Sequence, residues 1–223
     1  MIPSPEIENI LFRPAVNLYE LSAFTGHKHA FGYGGFQEIH WLNTPGPIYT
    51  TYTDNCGTGQ PAAMDNVGGD GDYHEVIFKQ PVTKEELIAT VIAGVIDPFG
   101  AYFIDGSQHW NKDNIFEWWD KSKERVQYVI NRYDDELNLP EEPHISKWDF
   151  NGEIRHYHLL GPVKPIPENY RSWLDFYQSG MKNYLEWYLC KLHAKAYMLP
   201  LLEFDWSRKE ALDKILAEKI AKP

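Results

Sequence analysis

Long apolar runs are missing from this chain of 223 residues. No segment reaches the ~18 consecutive apolar residues typical of a membrane-spanning helix, and the start, MIPSPEIENILFRP, lacks the basic-then-apolar order of a secretory signal. Cysteine is scarce as well, since only Cys56 and Cys190 are present and they stand far apart. That spacing argues against a disulfide scaffold or a zinc knuckle and fits a reducing compartment. We therefore expect a cytoplasmic protein with no membrane association.

Basic residues are outnumbered by acidic ones. The chain has 21 Lys and Arg against 32 Asp and Glu, a formal net charge of -11. Such a charge repels the phosphate backbone of nucleic acids and favours encounter with cationic partners, so nucleic-acid binding is not expected. Hydrophobic residues make up 43% of the chain and aromatic residues 15%, which is ample material for a packed core.

Patterns typical of β-strands are concentrated early in the chain. The segments FQEIHWL and PIYTTYT flank a Pro-Gly-Pro turn and predict a hairpin, and HEVIFK and GAYFID predict two further strands. Between those two strands, Thr83 and Glu86 have the spacing of a capping box. They predict a helix over residues 84–96 whose wide apolar stripe packs on the strands.

Helical periodicity dominates the later part of the chain. It predicts helices over residues 113–137 and 167–192, and a capping box formed by Ser207 and Glu210 predicts a last helix. We therefore expect an α+β fold with early antiparallel strands and a packed helix, followed by a helix-rich C-terminal half. Residues 1–223 are predicted to form a single domain, and the proline-rich segment near 138–166 is where it would subdivide.

The segment YTDNCGTGQPAAMDNVGGDGDYHE combines acids and glycines, which are residues that also occur in metal and phosphate sites. Laid on a twelve-residue calcium loop that begins at Asp65, the third ligand position falls on Val67 and the fifth on Gly69, so that template fails. The glycine patterns FGYGGF and VGGDGD match no nucleotide-binding fingerprint. The sequence therefore predicts no metal and no cofactor.

An enzymatic interpretation depends on histidine and cysteine. His27 and His29 have the spacing that puts two imidazoles on one side of a strand, as in some zinc sites. Cys56 would be a nucleophile if a histidine such as His74 came within hydrogen-bonding reach. No third zinc ligand stands at a recognisable spacing. The alternative function is therefore a small metal- or cysteine-dependent hydrolase built on these four residues.

The chain resembles an uncharacterised bacterial family. The likeness is carried by LYELSAFTGHKHAFGYGGFQEIHWLNTPGPIYTTYTDNCGTGQPAAMDNVGGD, by HEVIFKQPVT and DPFGAYFIDG, and by NYRSWLDFYQSGMKNYLEWYL. Members are associated with genes beside polymorphic toxins, such as Rhs or type VI secretion effectors, where the neighbour is the cognate immunity protein. The resemblance implies binding and occlusion of a toxin without catalysis, and it carries over no catalytic residues.

A toxin-binding role fits the composition, because Trp and Tyr anchor protein interfaces and acids suit a partner with a basic surface. Trp118 lies one position off the predicted apolar stripe, so we expect it to be partly exposed. A third interpretation is a scaffold that pairs with itself through the long aromatic helix. The residues predicted to contact a toxin are Asp65, Asp70, Asp72, Trp118, Trp119 and Asp120.

Overall fold

A computed structural model describes residues 2–13, 16–28, 31–53, 57–72, 74–139 and 165–221. Its elements form the predicted α+β fold, in which small sheets precede a helix-rich C-terminal half. None of the described helices has the length and apolar character needed to cross a membrane. The helices are α1 Pro5–Leu11, α2 Leu18–Thr25, α3 Gly59–Ala62, α4 Lys84–Ile96, α5 Lys112–Asp120, α6 Ser122–Asn138, α7 Ile166–Ser179, α8 Met181–His193 and α9 Ser207–Ile220; the strands are β1 Tyr49–Thr50, β2 Val67–Gly69, β3 Glu75–Ile77 and β4 Tyr102–Phe103.

The strands pair into two short antiparallel ladders, β1 with β4 and β2 with β3. The strands predicted at HEVIFK and GAYFID are confirmed as β3 and β4. The predicted hairpin across Pro-Gly-Pro is wrong, because residues 36–38 form a 3-10 turn and Thr50 pairs with Tyr102 instead. The side chain of Asn43 supplies the acceptor that a neighbouring strand would otherwise provide. Its Oδ1 accepts from the amides of Thr50 in β1 and Ile77 in β3.

The helix α4 is confirmed together with its N-cap, since Thr83 Oγ1 accepts from the Glu86 amide at 3.2 Å. The reciprocal half of the capping box is wrong, because Glu86 Oε2 accepts from the Val82 amide at 2.8 Å and not from that of Thr83. The last helix begins at Ser207 as predicted, but its capping box is wrong: Asp205 Oδ1 accepts from the Ser207 amide at 3.0 Å. Local side-chain pairing therefore identified both helices but only one of the two caps. The proposed subdivision falls largely on residues 140–164, which lie outside the described residues.

The two long helices predicted in the C-terminal half are each broken in two. One breaks at Gly180, between α7 and α8. The other breaks at Lys121, where Arg125 Nη1 donates to the Trp118 carbonyl at 2.7 Å and so occupies the acceptor that the Ser122 amide would use in a continuous helix. The break turns Trp118 inward to 5% exposure, so the expectation that it is partly exposed is wrong.

Buried side chains form two hydrophobic clusters. One joins α1, α2 and α4 to the strands, and the other gathers α5 to α9 around Trp173. Polar side chains connect the late helices to the early loops. Asn169 Nδ2 donates to the carbonyls of Met64 and Val67, at 2.6 and 2.8 Å, and the Tyr184 hydroxyl donates to the Pro45 carbonyl at 2.9 Å. These bonds fix the position of the loops that carry the surface described below.

Gly68 in β2 lies against the fully buried ring of Trp173, and a Cβ atom there would come within 2.5 Å of that ring. The ring stacks on Phe78 at 5.3 Å and has little room to move. Gly68→Ala is therefore expected to lower the free energy of unfolding by about 1–3 kcal/mol, measured by urea denaturation. The control is Gly69→Ala, whose nearest contact would be the Gln60 amide at 3.3 Å. Equal losses in the two variants would contradict a clash with the ring.

Candidate partner-binding surface

The turn between β2 and β3 is organised by Asp70. Its Oδ1 accepts from the amides of Asp72 and His74 at 2.8 and 2.9 Å, and its Oδ2 lies 3.1 Å from His40 Nε2. His40 Nδ1 accepts from the Leu42 amide, which assigns the ring proton to Nε2 as the donor to Asp70. Both ring nitrogens of His40 are thus engaged. Asp70 is only 5% exposed and holds the turn, whereas Asp72 is exposed.

The pKa of Asp70 lies below its ordinary value. Burial alone would raise this pKa, but the hydrogen bonds from His40 and from the amides of Asp72 and His74 favour the carboxylate and outweigh burial. A lowered pKa in the folded state means that the ionised carboxylate contributes stability above the ordinary pKa of about 3.9. This contribution is lost as the pH falls through the lower folded-state pKa.

Asp70→Asn is accordingly expected to lower the free energy of unfolding at neutral pH. It should also make the free energy of unfolding depend less on pH in the acidic range. The difference in unfolding free energy between the wild type and Asp70→Asn should be constant above about pH 5 and should shrink as the pH falls below about 4. Urea denaturation at several pH values measures it. The matched control is Asp113→Asn, at an exposed carboxylate at the start of α5. A difference that stays unchanged down to pH 2 would contradict the assigned role of the charge.

Beside this turn, an arginine is held between two indole rings. Arg125 of α6 is only 4% exposed, and its Nε donates to the Trp41 carbonyl at 2.8 Å while Nη1 donates to the Trp118 carbonyl. Its guanidinium carbon lies 4.4 Å from the ring centroid of Trp118 and 5.6 Å from that of Trp41. These distances allow cation–π attraction to both rings. Trp41, at 40% exposure, is the outer member of this stack.

Tyr128 connects the stack to the acidic turn. Its ring packs edge-on against Trp41 with centroids 5.3 Å apart, and its hydroxyl donates to the Asp70 carbonyl at 2.6 Å. Burial first, and then the charges of Asp70 and Asp72, raise the pKa of Tyr128. Glu124 is exposed one helical turn before Tyr128 on α6. We call these exposed and half-buried residues, Trp41, Asp72, Glu124 and Tyr128, the Trp41 surface.

The carboxylates of the Trp41 surface have no ion-pair partner in the described part of the chain, since neither Asp72 nor Glu124 pairs with any described residue. The guanidinium of Arg132, which pairs with Asp135 and Glu136, lies against Gly71 in the same turn. On the other side of the turn, the ring of Tyr52 packs edge-on against His74 at 5.3 Å, and Tyr52 is 64% exposed. The turn therefore carries a carboxylate that no described residue pairs with, and the exposed aromatic side chains of Trp41 and Tyr52 lie near it.

Half of the residues predicted to contact a partner are accessible. Two of the others support the surface from inside, since Asp70 holds the turn and Trp118 reaches Trp41 through Arg125, and Trp119 lies in the hydrophobic core. The exposed residues are Asp65, Asp72 and Asp120, and the buried ones are Asp70, Trp118 and Trp119. The sequence interpretation missed Trp41, Glu124 and Tyr128. The spacing of Glu124 and Tyr128 on one helix face was the available signal.

Comparison with protein-family models, with curated proteins and with solved structures finds no match for this chain. Functional inference therefore depends on the geometry and charge of the described residues.

A second carboxylate–imidazole pair, Asp105 with His109 at 3.1 Å, also stabilises the fold. Asp105 additionally accepts from the Tyr49 hydroxyl and the Gly34 amide, both at 2.7 Å, and so joins three segments of the chain.

The residues of the hydrolase alternative are only partly described. The carbonyl of His27 accepts from Ser22 Oγ at 2.8 Å, and the ring of His74 lies 3.1 Å from the Thr53 carbonyl through Nδ1. His29 and Cys56 lie outside the described residues, so the hydrolase stays a prediction. Within the described ranges, no group of three or more His, Cys, Asp or Glu side chains is placed to hold a metal ion.

Proposed function

We propose that this chain is a cytoplasmic immunity protein that binds a cognate bacterial toxin and neutralises it by occlusion, without catalysis. The observation that carries the proposal is an exposed indole, Trp41, fixed from beneath by the buried Arg125 and bordered by carboxylates that form no ion pair with any described residue. Tryptophan is enriched among the residues that dominate binding energy, and a rigid side chain loses little entropy on association. A net charge of -11 favours encounter with a basic toxin.

The polar groups beside this surface also favour binding over chemistry. Asp70 and His40 are hydrogen-bonded to each other, and both also accept from backbone amides. Neither is therefore available as a general base. The accessible groups include the ring of Trp41 and the carboxylates of Asp72 and Glu124, and such groups are typical of an interface. Carboxylates at the rim of an interface mainly accelerate association and select a cationic partner.

The direct test is binding between this protein and the product of its adjacent gene, by co-purification and calorimetry, with growth scored when that gene is expressed with and without this one. We expect nanomolar affinity, about -12 kcal/mol, together with rescue of growth. Association should also slow as salt is added, because exposed charges are screened. No binding and no rescue would contradict the proposal for that pair.

The same growth assay separates binding from hydrolysis. Cys56→Ala is expected to rescue growth as well as the wild type does, because occlusion needs no nucleophile. Trp41→Ala is expected to weaken toxin binding by about 30-fold or more, as for a central interface tryptophan. Tyr19→Ala, at a tyrosine 82% exposed on α2, is the matched control and should bind normally. Loss of rescue in Cys56→Ala with folding intact would favour the hydrolase.

A further inference from the structure

The stack of Trp118, Arg125 and Trp41 alternates ring, cation and ring, and it ends on an exposed ring. We propose that the Trp41 surface receives an arginine side chain from a basic segment of the partner, whose guanidinium stacks on Trp41 as the next member of this series. The inference rests on the proposed function and specifies the chemistry of the partner at that site.

Trp41 is fixed firmly enough to act as a platform. Its backbone carbonyl is held by Arg125 Nε at 2.8 Å, and its ring contacts the Arg125 guanidinium on one side and the Tyr128 ring edge-on. Arg125 is in turn anchored by the Trp118 carbonyl. Despite these contacts, the residue Trp41 is still 40% exposed. The ring can therefore gain a contact without first being ordered.

The surroundings of Trp41 select a cation. Asp72 follows closely after Asp70, whose carbonyl accepts from the Tyr128 hydroxyl, and Glu124 lies one helical turn before Tyr128, whose ring packs against Trp41. Both carboxylates lack an ion-pair partner among the residues the structure describes. A cation over the ring would therefore gain both cation–π and charge–charge attraction.

Arginine fits this site better than lysine. A guanidinium is planar, is weakly hydrated and presents several donors, so it can stack on an indole while donating to neighbouring carboxylates. A lysine ammonium is a compact and strongly hydrated charge, and it loses more hydration when it meets a ring. The internal series already shows this preference, since the cation between Trp118 and Trp41 is an arginine.

The test uses acetylated hexa-arginine and hexa-lysine peptides, titrated into the full chain at low ionic strength by calorimetry. Hexa-arginine is expected to bind about 10-fold more tightly than hexa-lysine. Trp41→Leu should abolish this difference and leave only weak binding driven by charge. Trp41→Phe keeps an aromatic ring of smaller cation affinity and should retain part of the preference, so the test remains valid if Trp41→Leu does not fold.

The carboxylates of Asp72 and Glu124 are tested with variants that remove their charge. The double variant Asp72→Asn with Glu124→Gln should weaken both peptides by about 10-fold or more, since two close charges are lost. Glu218→Gln, at an exposed glutamate on α9, is the matched control and should change neither affinity appreciably. Equal affinity of the wild type for the two peptides, or no effect of Trp41→Leu and Trp41→Phe, would overturn the inference.

Failure of this inference and failure of the proposed function give different results. If the adjacent gene product binds with nanomolar affinity but the Trp41 variants bind it equally well, the immunity function stands and the arginine site is wrong. If hexa-arginine binds through Trp41 but no toxin is bound or neutralised, the site stands and the immunity function is wrong.

Discussion

Replacing Asn43 with alanine is expected to lower the free energy of unfolding by about 4 kcal/mol, because the buried amides of Thr50 and Ile77 would lose their acceptor together. The carbonyls of His40 and Thr50 would each lose one of two donors. Asn43 is only 1% exposed. Its Oδ1 accepts from the amides of Ile77 and Thr50 at 3.0 and 3.1 Å. Its Nδ2 donates to the carbonyls of His40 and Thr50 at 2.9 and 2.8 Å.

Urea denaturation at neutral pH measures this loss. Asn43→Asp is expected to be about as damaging as Asn43→Ala, because it keeps the acceptor but places a charged oxygen against the carbonyls of His40 and Thr50. The control is Asn131→Ala at an exposed amide on α6, which should change the free energy by less than about 0.5 kcal/mol. A loss below about 1 kcal/mol for Asn43→Ala would show that the neighbouring groups find other partners.

The second large effect is expected at Arg125. Arg125→Ala should lower the free energy of unfolding by about 3 kcal/mol, since it removes a buried side chain and leaves two carbonyls without their donors. It should also weaken binding of the cognate toxin by about 10-fold or more, because Trp41 would lose the group that fixes it. Denaturation and calorimetry measure the two effects separately.

Arg125→Lys distinguishes geometry from charge. The planar guanidinium donates to the carbonyls of Trp41 and Trp118 in two directions, and a lysine ammonium lacks this geometry. Arg125→Lys should therefore recover less than half of the free energy of unfolding that Arg125→Ala loses. Arg171→Lys provides the control at an arginine on α7 that pairs with Glu168 at 3.8 Å, and there we expect little change. If Arg125→Lys matched the wild type in stability and in toxin binding, the stacked geometry would have no energetic role.

Elements whose signals are local could be predicted from the sequence. The cap of α4 depends on Thr83 and the Glu86 amide three residues later, and the strands β3 and β4 have apolar and aromatic residues of their own. The strand β2 reads VGG and has almost no side-chain pattern. It is positioned by groups that are distant in sequence, including Asn169, whose Nδ2 donates to the Val67 carbonyl. A pattern of neighbouring residues cannot predict such a contact.

The candidate surface was predictable only in part for the same reason. Asp72 was predicted to contact a partner, and the structure exposes it in the turn between β2 and β3. Trp41 was assigned to a strand that does not form, and the exposure of Trp118 was wrong because the break after α5 depends on Arg125. In both cases a tertiary hydrogen bond decided the local conformation, and periodicity cannot show such a bond.

The bonds from the late helices to the early loops also determine when the protein can finish folding. Asn169 meets carbonyls 105 and 102 residues earlier in the chain, and Tyr184 meets one 139 residues earlier. On the ribosome, the loops around Pro45 and Val67 therefore emerge long before their partners are synthesised. Contacts of such sequence separation slow folding, so this protein should reach its native arrangement only after α7 and α8 have left the ribosome.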